Sequence, residues 1–382
     1  MRILVDALAT TNLSGRHVLL GHLERAARMA ADRHRFVVLV HSGNADFRER
    51  LGDSVEWREC PPLTRHWLGR RAWQFTSMTA VVAETRTDAV LTASGATLPR
   101  VPVPQVVYAM NPWSLVPGLD RTPAEQLKAA FQRTAYRRAM ANADGFLFLS
   151  AHLRDLYRRN AGCRERCSEV VYCGVDDETF AAASAPSRAR AAHEIVCVSA
   201  MARHKDLETL LHAVASVRQA GISATLRLVG PWPDPLYRDS IEKLIDGLGL
   251  RPSVTITGWL ARSDLQMAYA EARIFALLSR AESFGIPAVE AQAFGTPVIG
   301  STMSAMAEVC GEGGLFAAPG DAAQAAKLIV TLLTEPDTWT SLSEAARRNA
   351  RRFTWDACAN AFLDGIARIL QPGPPASRKG AR

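Results

Sequence analysis

Short apolar runs alternate with amphipathic stretches along the whole chain, and that alternation predicts strands and helices in turn. RILVDAL (2–8), FVVLVHS (36–42), DAVLTAS (88–94), QVVYAMN (105–111) and GFLFLS (145–150) are nearly continuous apolar runs. That is the pattern of strands covered on both faces of a parallel sheet. Segments of helical period lie between them, the first from about Arg16 to Asp32 after the turn TTNLSG. SAPSRARAA (184–192) is small and polar, a linker, and IVCVSAM (195–201) then opens a second series through LRLVG, VTIT, RIFALLS and TPVIG. The expected fold is α/β, with parallel-sheet domains at 1–183 and 193–355. A chain of 382 residues is long for one core, which agrees with two. Residues 356–371 read as a terminal helix after a Trp-containing turn, and the Pro/Gly-rich basic stretch 372–382 as a disordered tail.

Composition narrows the class. No run of eighteen apolar residues exists, so no spanning helix is expected. MRILVDALATTNLSG reads as a first strand rather than a signal peptide. Seven scattered cysteines, with Cys163 and Cys167 the one close pair, suggest neither a metal nor a redox site and fit a reducing cytoplasm. The net charge of +7 is uneven: residues 1–175 hold 24 Lys and Arg against 16 Asp and Glu, whereas 176–371 hold 18 against 22. Such asymmetry points to an anionic partner on one face. Helix-turn-helix, zinc-ligand and RNP-like patterns are absent, so nucleic acid is not expected. The anionic cytoplasmic membrane surface or a lipid-diphosphate acceptor is the more economical partner. RHWLGRRAWQF (65–75) mixes Arg with Trp67, Trp73 and Phe75, either an interfacial anchor or ordinary buried aromatics beside solvated arginines.

The densest chemistry is in ESFGIPAVEAQAFGTPVIG (282–300). It follows the strand run RIFALLS, and Pro287 suits a first helical turn, so Glu282 falls on a loop at the carboxyl edge of a strand. Glu290 falls within the following helix, and Gly285 stands beside that helix's N-terminus. A helix N-terminus holds an anionic diphosphate through backbone N–H groups, while carboxylates suit hydroxyls. Together they suggest a nucleotide sugar.

The pattern E-x-F-G-x-P-x-x-E followed by A-x-x-x-G-T-P-V-I resembles that of family 4 glycosyltransferases, retaining enzymes of the GT-B fold. The resemblance continues through VSAMARHKDLETLLHA, LRLVGPW, VTITGWLARSDLQMAYAEARIFALLS and MAEVCGEGGLFAAPGD. It implies two Rossmann-like domains facing across a cleft, with the terminal helix crossing back onto the first. VVYCGVDDETF resembles the family's exit from that first domain.

The resemblance further implies that Glu282 holds donor-sugar hydroxyls and Glu290 the ribose hydroxyls. Ser283, Phe284 and Gly285 would meet sugar or phosphate oxygens, and Lys205 with Arg203 would meet the leaving diphosphate. Two cations there stabilise the developing charge with no metal or cofactor. Gly230 and Gly258 sit where the family approaches the nucleotide, or are turn glycines, and Trp259 is either near the base or structural. The first domain matches less well. Only Ser14–Gly15 remains of the usual Gly-Gly loop after the first strand. Asn111 stands where many members have His, either as a sugar-binding amide or as the turn residue before Pro112. Ser150 resembles a Ser near the diphosphate.

The implied activity is retaining transfer of a hexose or deoxyhexose from a nucleoside-diphosphate sugar to a glycan or lipid-linked acceptor. The pathway suggested is lipopolysaccharide or exopolysaccharide assembly at the inner membrane surface. A dinucleotide enzyme would need G-x-G-x-x-G after a strand, which TTNLSGR does not supply. A GT-B epimerase and a silent binding scaffold remain as alternatives.

Overall fold

The computed structural model describes residues 1–371 apart from 12, 45 and 186–188, so the expected tail at 372–382 lies outside the described residues. The first sheet contains β1 (Arg2–Asp6), β2 (Arg35–Val40), β3 (Glu56–Glu59), β4 (Ala89–Thr92), β5 (Gln105–Ala109), β6 (Gly145–Phe148) and β7 (Ser168–Val170). Its order is β3-β2-β1-β4-β5-β6-β7. The second contains β8 (Glu194–Val198), β9 (Thr225–Val229), β10 (Val254–Gly258), β11 (Ile274–Leu277), β12 (Val298–Ser301) and β13 (Gly314–Ala317), ordered β10-β9-β8-β11-β12-β13. Every pairing in both sheets is parallel. Strand order reverses between β1 and β4 and again between β8 and β11. Those are the points where an open parallel sheet leaves a crevice at its carboxyl edge.

The fully buried strands are the apolar runs of the sequence: β4, β6, β11 and β12 have no exposed position. The strands the pattern did not reveal, β3, β7 and β13, all lie at sheet edges. β3 is EWRE and mostly exposed, and β7 is SEV and half-buried, so neither carries an apolar run.

The helix Trp355–Leu370 packs on the first sheet's side of the molecule. Thr354 caps it by accepting from Ala357 N, and Trp355, Phe362 and Ile366 are buried. Glycines permit this approach: a Cβ on Gly21 would lie 2.2 Å from the Trp355 ring, and one on Gly145 2.6 Å from Ile369. The ring of Phe362 lies 5.1 Å from that of His22 and 5.7 Å from that of Tyr108. The chain thus crosses between the two sheets twice, and the crossings run side by side, with Val175 N donating to Phe353 O at 2.8 Å.

Candidate active site

β11 ends at Leu277 and the loop after it brings Glu282 to the crevice above β8 and β11. The β8 edge continues into a 3-10 turn, Arg203–Lys205, whose Lys205 Nζ donates to Glu282 Oε1. Both side chains are largely sheltered, at 13% and 14% exposure. The two loops are stitched together by the backbone: His204 O accepts from Arg280 N at 2.8 Å and from Ser279 Oγ at 3.1 Å. Burial, with Lys205 adding to it, pulls the His204 pKa down to about 4, so its ring is neutral at pH 7.

Directly after Glu282 comes the helix Ile286–Ala293, preceded by Gly285 in the left-handed region at φ 93° and capped by no side chain. A Cβ on Gly285 would meet Met306 Sδ at 2.6 Å, so the residue is required by both conformation and space. Phe284 is buried, its ring packed on Phe353 at 5.2 Å and facing Tyr172 at 6.1 Å. Its side chain is therefore an interdomain packing element, which leaves its backbone and the half-buried Ser283 beside it for a ligand.

Glu290 is 6% exposed, and both its oxygens are engaged: Arg262 Nη1 donates to Oε1 at 2.9 Å and the Tyr269 hydroxyl to Oε2 at 2.8 Å. The resemblance implies that it holds the ribose hydroxyls; in the structure it is a paired, buried carboxylate. Burial pushes its pKa up, and Arg262 and Tyr269 offset part of that. Arg262 Nη2 reaches on to Asp176 Oδ2 at 2.9 Å and Thr179 Oγ1 at 2.6 Å, both in the first crossing. Asp176 Oδ1 in turn accepts from Trp355 Nε1 at 2.8 Å, in the second crossing, and faces His17 Nε2 at 3.6 Å. The sequence reading missed Arg262, Tyr269 and Asp176. No local spacing links Arg262 to a carboxylate 28 residues away.

Arg203 is not beside Glu282. Its guanidinium lies over the Tyr237 ring at 5.1 Å and near Asp234 at 3.6 Å and Asp120 at 3.9 Å. It lines an interdomain cavity of about 400 Å³ with Asp120, His204, His212 and Arg280. The expected pair of diphosphate cations is therefore resolved into Lys205 at the carboxylate and Arg203 at this neighbouring cavity.

Ser150 is corrected. It is fully buried, and its Oγ accepts from Leu153 N at 3.1 Å as the N-cap of the helix Ala151–Ala161. The anion at that helix N-terminus is Glu308 of the second domain, which accepts from Ala151 N at 2.7 Å and His152 N at 2.8 Å. The Tyr172 hydroxyl donates to the same carboxylate at 3.0 Å; burial and the Glu308 charge push the phenol up to about 12, so it keeps its proton.

Gly15 is likewise corrected: it lies in the first turn of the helix Leu13–Met29 and not in an open loop. Asn111 is exposed, and its Oδ1 accepts from Trp113 N at 2.9 Å, closing the turn at Pro112. Gly230 has φ 137° and a Cβ there would lie 1.9 Å from Ser199 O, so the protein's own backbone already demands glycine. Its N–H donates to Gly258 O at 2.8 Å, and Trp259 beyond it is 69% exposed. Among the described residues, no group of three or more His, Cys, Asp or Glu is placed to hold a metal ion.

Two family models match this chain, Glycosyltransferase Family 4 over residues 22–179 and Glycosyl transferases group 1 over residues 186–352. A D-inositol 3-phosphate glycosyltransferase from Corynebacterium kroppenstedtii is 28% identical over 287 residues, 71% of this chain and 63% of that protein. The match thus spans about three-fifths of that relative's length. Among solved structures, Anabaena HepE in complex with UDP and glucose superposes with a TM-score of 0.69 at 20% identity, covering 96% of this chain and 100% of that one. The lipopolysaccharide outer core galactosyltransferase WaaB gives 0.70 at 15% identity, covering 97% and 100%. Two parallel-sheet domains of the GT-B kind, and two models that between them take in both sheets, lead to one assignment: the chain belongs to the group 1 and family 4 glycosyltransferases.

Proposed function

We propose that the protein transfers a hexose or deoxyhexose from a nucleoside-diphosphate sugar to a glycan or lipid-linked acceptor, with retention of anomeric configuration. The observation that carries this reading is the Lys205–Glu282 pair beside the uncapped N-terminus of Ile286–Ala293, at the reversal of the second sheet. A cation and a helix N-terminus hold the diphosphate, and Glu282 accepts sugar hydroxyls once Lys205 turns to the phosphate. The UDP and glucose bound by HepE fit such a site. Retention follows same-face attack, in which the leaving phosphate takes the acceptor proton, so no protein base is required. Glu290 meets the ribose through the lone pairs that Arg262 and Tyr269 leave open, two oxygens offering about four acceptor positions.

The acceptor belongs to surface-polysaccharide assembly, lipopolysaccharide or exopolysaccharide, at the cytoplasmic face of the membrane. Among the described residues no helix is long and apolar enough to cross a membrane. The first domain does expose Leu63, Trp67, Leu68 and Phe75 beside Arg65 and Arg71, a combination suited to an anionic lipid surface.

The test is a melting screen with UDP-, GDP- and dTDP-sugars, followed by NMR of the product anomer. A donor at 100 times its Kd stabilises by about 2.7 kcal/mol. No stabilisation by any of the three, or an inverted product, would overturn the reading. Turnover of donor without acceptor would instead indicate an epimerase.

A further inference from the structure

We infer that Arg262 is a positioning residue for the nucleotide's ribose: it fixes the Glu290 carboxylate in the orientation that receives the ribose hydroxyls and ties that carboxylate to the interdomain crossing. The inference rests on the ribose role proposed for Glu290. Its geometry is independent of that role. A single guanidinium bridges two carboxylates, Glu290 at 2.9 Å and Asp176 at 2.9 Å, and takes the Thr179 hydroxyl at 2.6 Å. Arg262 opens the helix Arg262–Glu271, whose seventh-following residue, Tyr269, holds the other oxygen of Glu290. One short helix therefore grips both arms of the carboxylate, and the grip leaves the remaining lone pairs at a fixed angle.

An ionised glutamate this deeply buried is unfavourable without a paired cation. Burial raises the Glu290 pKa, and among the groups facing it Arg262 gives the largest opposition, with Tyr269 beside it and Asp176 acting the other way. Burial also works against the Arg262 charge, but Glu290 and Asp176 outweigh it and hold its pKa above the ordinary arginine value. With Arg262 gone, Glu290 either takes up a proton, which turns one acceptor into a donor, or rotates away. In both cases the ribose loses a bidentate acceptor. Lysine keeps the charge but has no planar fork with which to bridge two carboxylates.

The experiment measures, by calorimetry, the affinities of UDP, GDP and 5-methyl-UDP and of their 2′-deoxy counterparts for the unaltered chain, Arg262→Gln and Arg262→Lys. The tightest-binding base is the one compared. The unaltered chain should prefer the ribonucleotide, and Arg262→Gln should weaken ribonucleotide binding about tenfold or more while leaving the 2′-deoxy form nearly unchanged. The ribo-to-deoxy ratio then falls toward one, with Arg262→Lys between. A loss shared equally by both nucleotides would show a merely structural arginine and overturn the inference, as would tighter binding, which would make Arg262 a competitor of the ribose. Absence of a ribo preference in the unaltered chain would remove the ribose role of Glu290 itself, a failure distinct from the first two.

Discussion

Glu308 joins the two domains by a contact whose worth can be worked out. Its carboxylate, on the second domain, accepts Ala151 N at 2.7 Å, His152 N at 2.8 Å and the Tyr172 hydroxyl at 3.0 Å, all on the first. A hydrogen bond to a charged partner contributes about 1.5–3 kcal/mol, and an anion at a helix N-terminus about 0.3–1 kcal/mol. These overlap, because the same N–H groups supply both, and Glu308 is half-buried, so solvent screens part of each. A net of about 2–4 kcal/mol across the interface follows for Glu308→Ala. Glu308→Gln should be nearly as severe despite its matching shape, because one arm of the amide would set an NH2 against a backbone N–H. Calorimetry is the first assay. At about 2–4 °C per kcal/mol for domains of this size, the lower-melting transition should fall by roughly 4–16 °C. Small-angle scattering should show a larger radius of gyration in both variants, and transfer should slow because the closed cleft is less populated. If both variants melt within about 0.5 kcal/mol of the unaltered chain and scatter identically, the contact is incidental and the reasoning fails.

Three further outcomes are expected. Burial, opposed only in part by the Val18 and Tyr172 carbonyls, holds His22 at a pKa of about 4 against an ordinary 6.5. The unfolded chain therefore binds the proton first, and this group's stabilisation, complete above pH 6.5, is lost as pH falls toward 4, by up to about 3 kcal/mol; urea melts from pH 7 to 4 should slope accordingly, and His22→Gln should flatten them. Transfer should persist in excess EDTA, since Lys205 and a helix N-terminus supply the positive charge at the diphosphate; inactivation rescued by magnesium or manganese would refute this. Binding to phosphatidylglycerol vesicles should exceed binding to neutral ones, be reversed by salt, and weaken when Arg65 and Arg71 become Ser; equal partition onto both would place the basic charge elsewhere.

The central strands were legible because burial on both faces demands apolar residues at every position, as in β4, β6 and β11. At β3 and β7 that demand lapses, and the residues there read like loop. The same limit applied within the site. Glu282 and Lys205 were readable as loop residues at strand ends, and they meet. Ser150 was misread because a cap and a phosphate ligand require the same hydroxyl at the same helix start. Arg262 and Glu308 were invisible because each acts on a partner far away in sequence, and only the packing of the sheets brings them together.

The helix Trp355–Leu370 also has a consequence for how the protein is made. It completes the cover of the first sheet, with Ile369 against Gly145 and Phe362 against His22 and Tyr108, yet it is the last described helix to leave the ribosome. At about 5–20 residues per second, the interval from Val175 to Leu370 takes roughly 10–40 s of synthesis. Throughout that time the part of the nascent first sheet around Tyr108 and Gly145 lacks this cover and presents the kind of apolar surface that chaperones bind. A stop codon just before Trp355 would then harm the domain farthest from it in sequence, leaving the second sheet able to fold over a first that stays open.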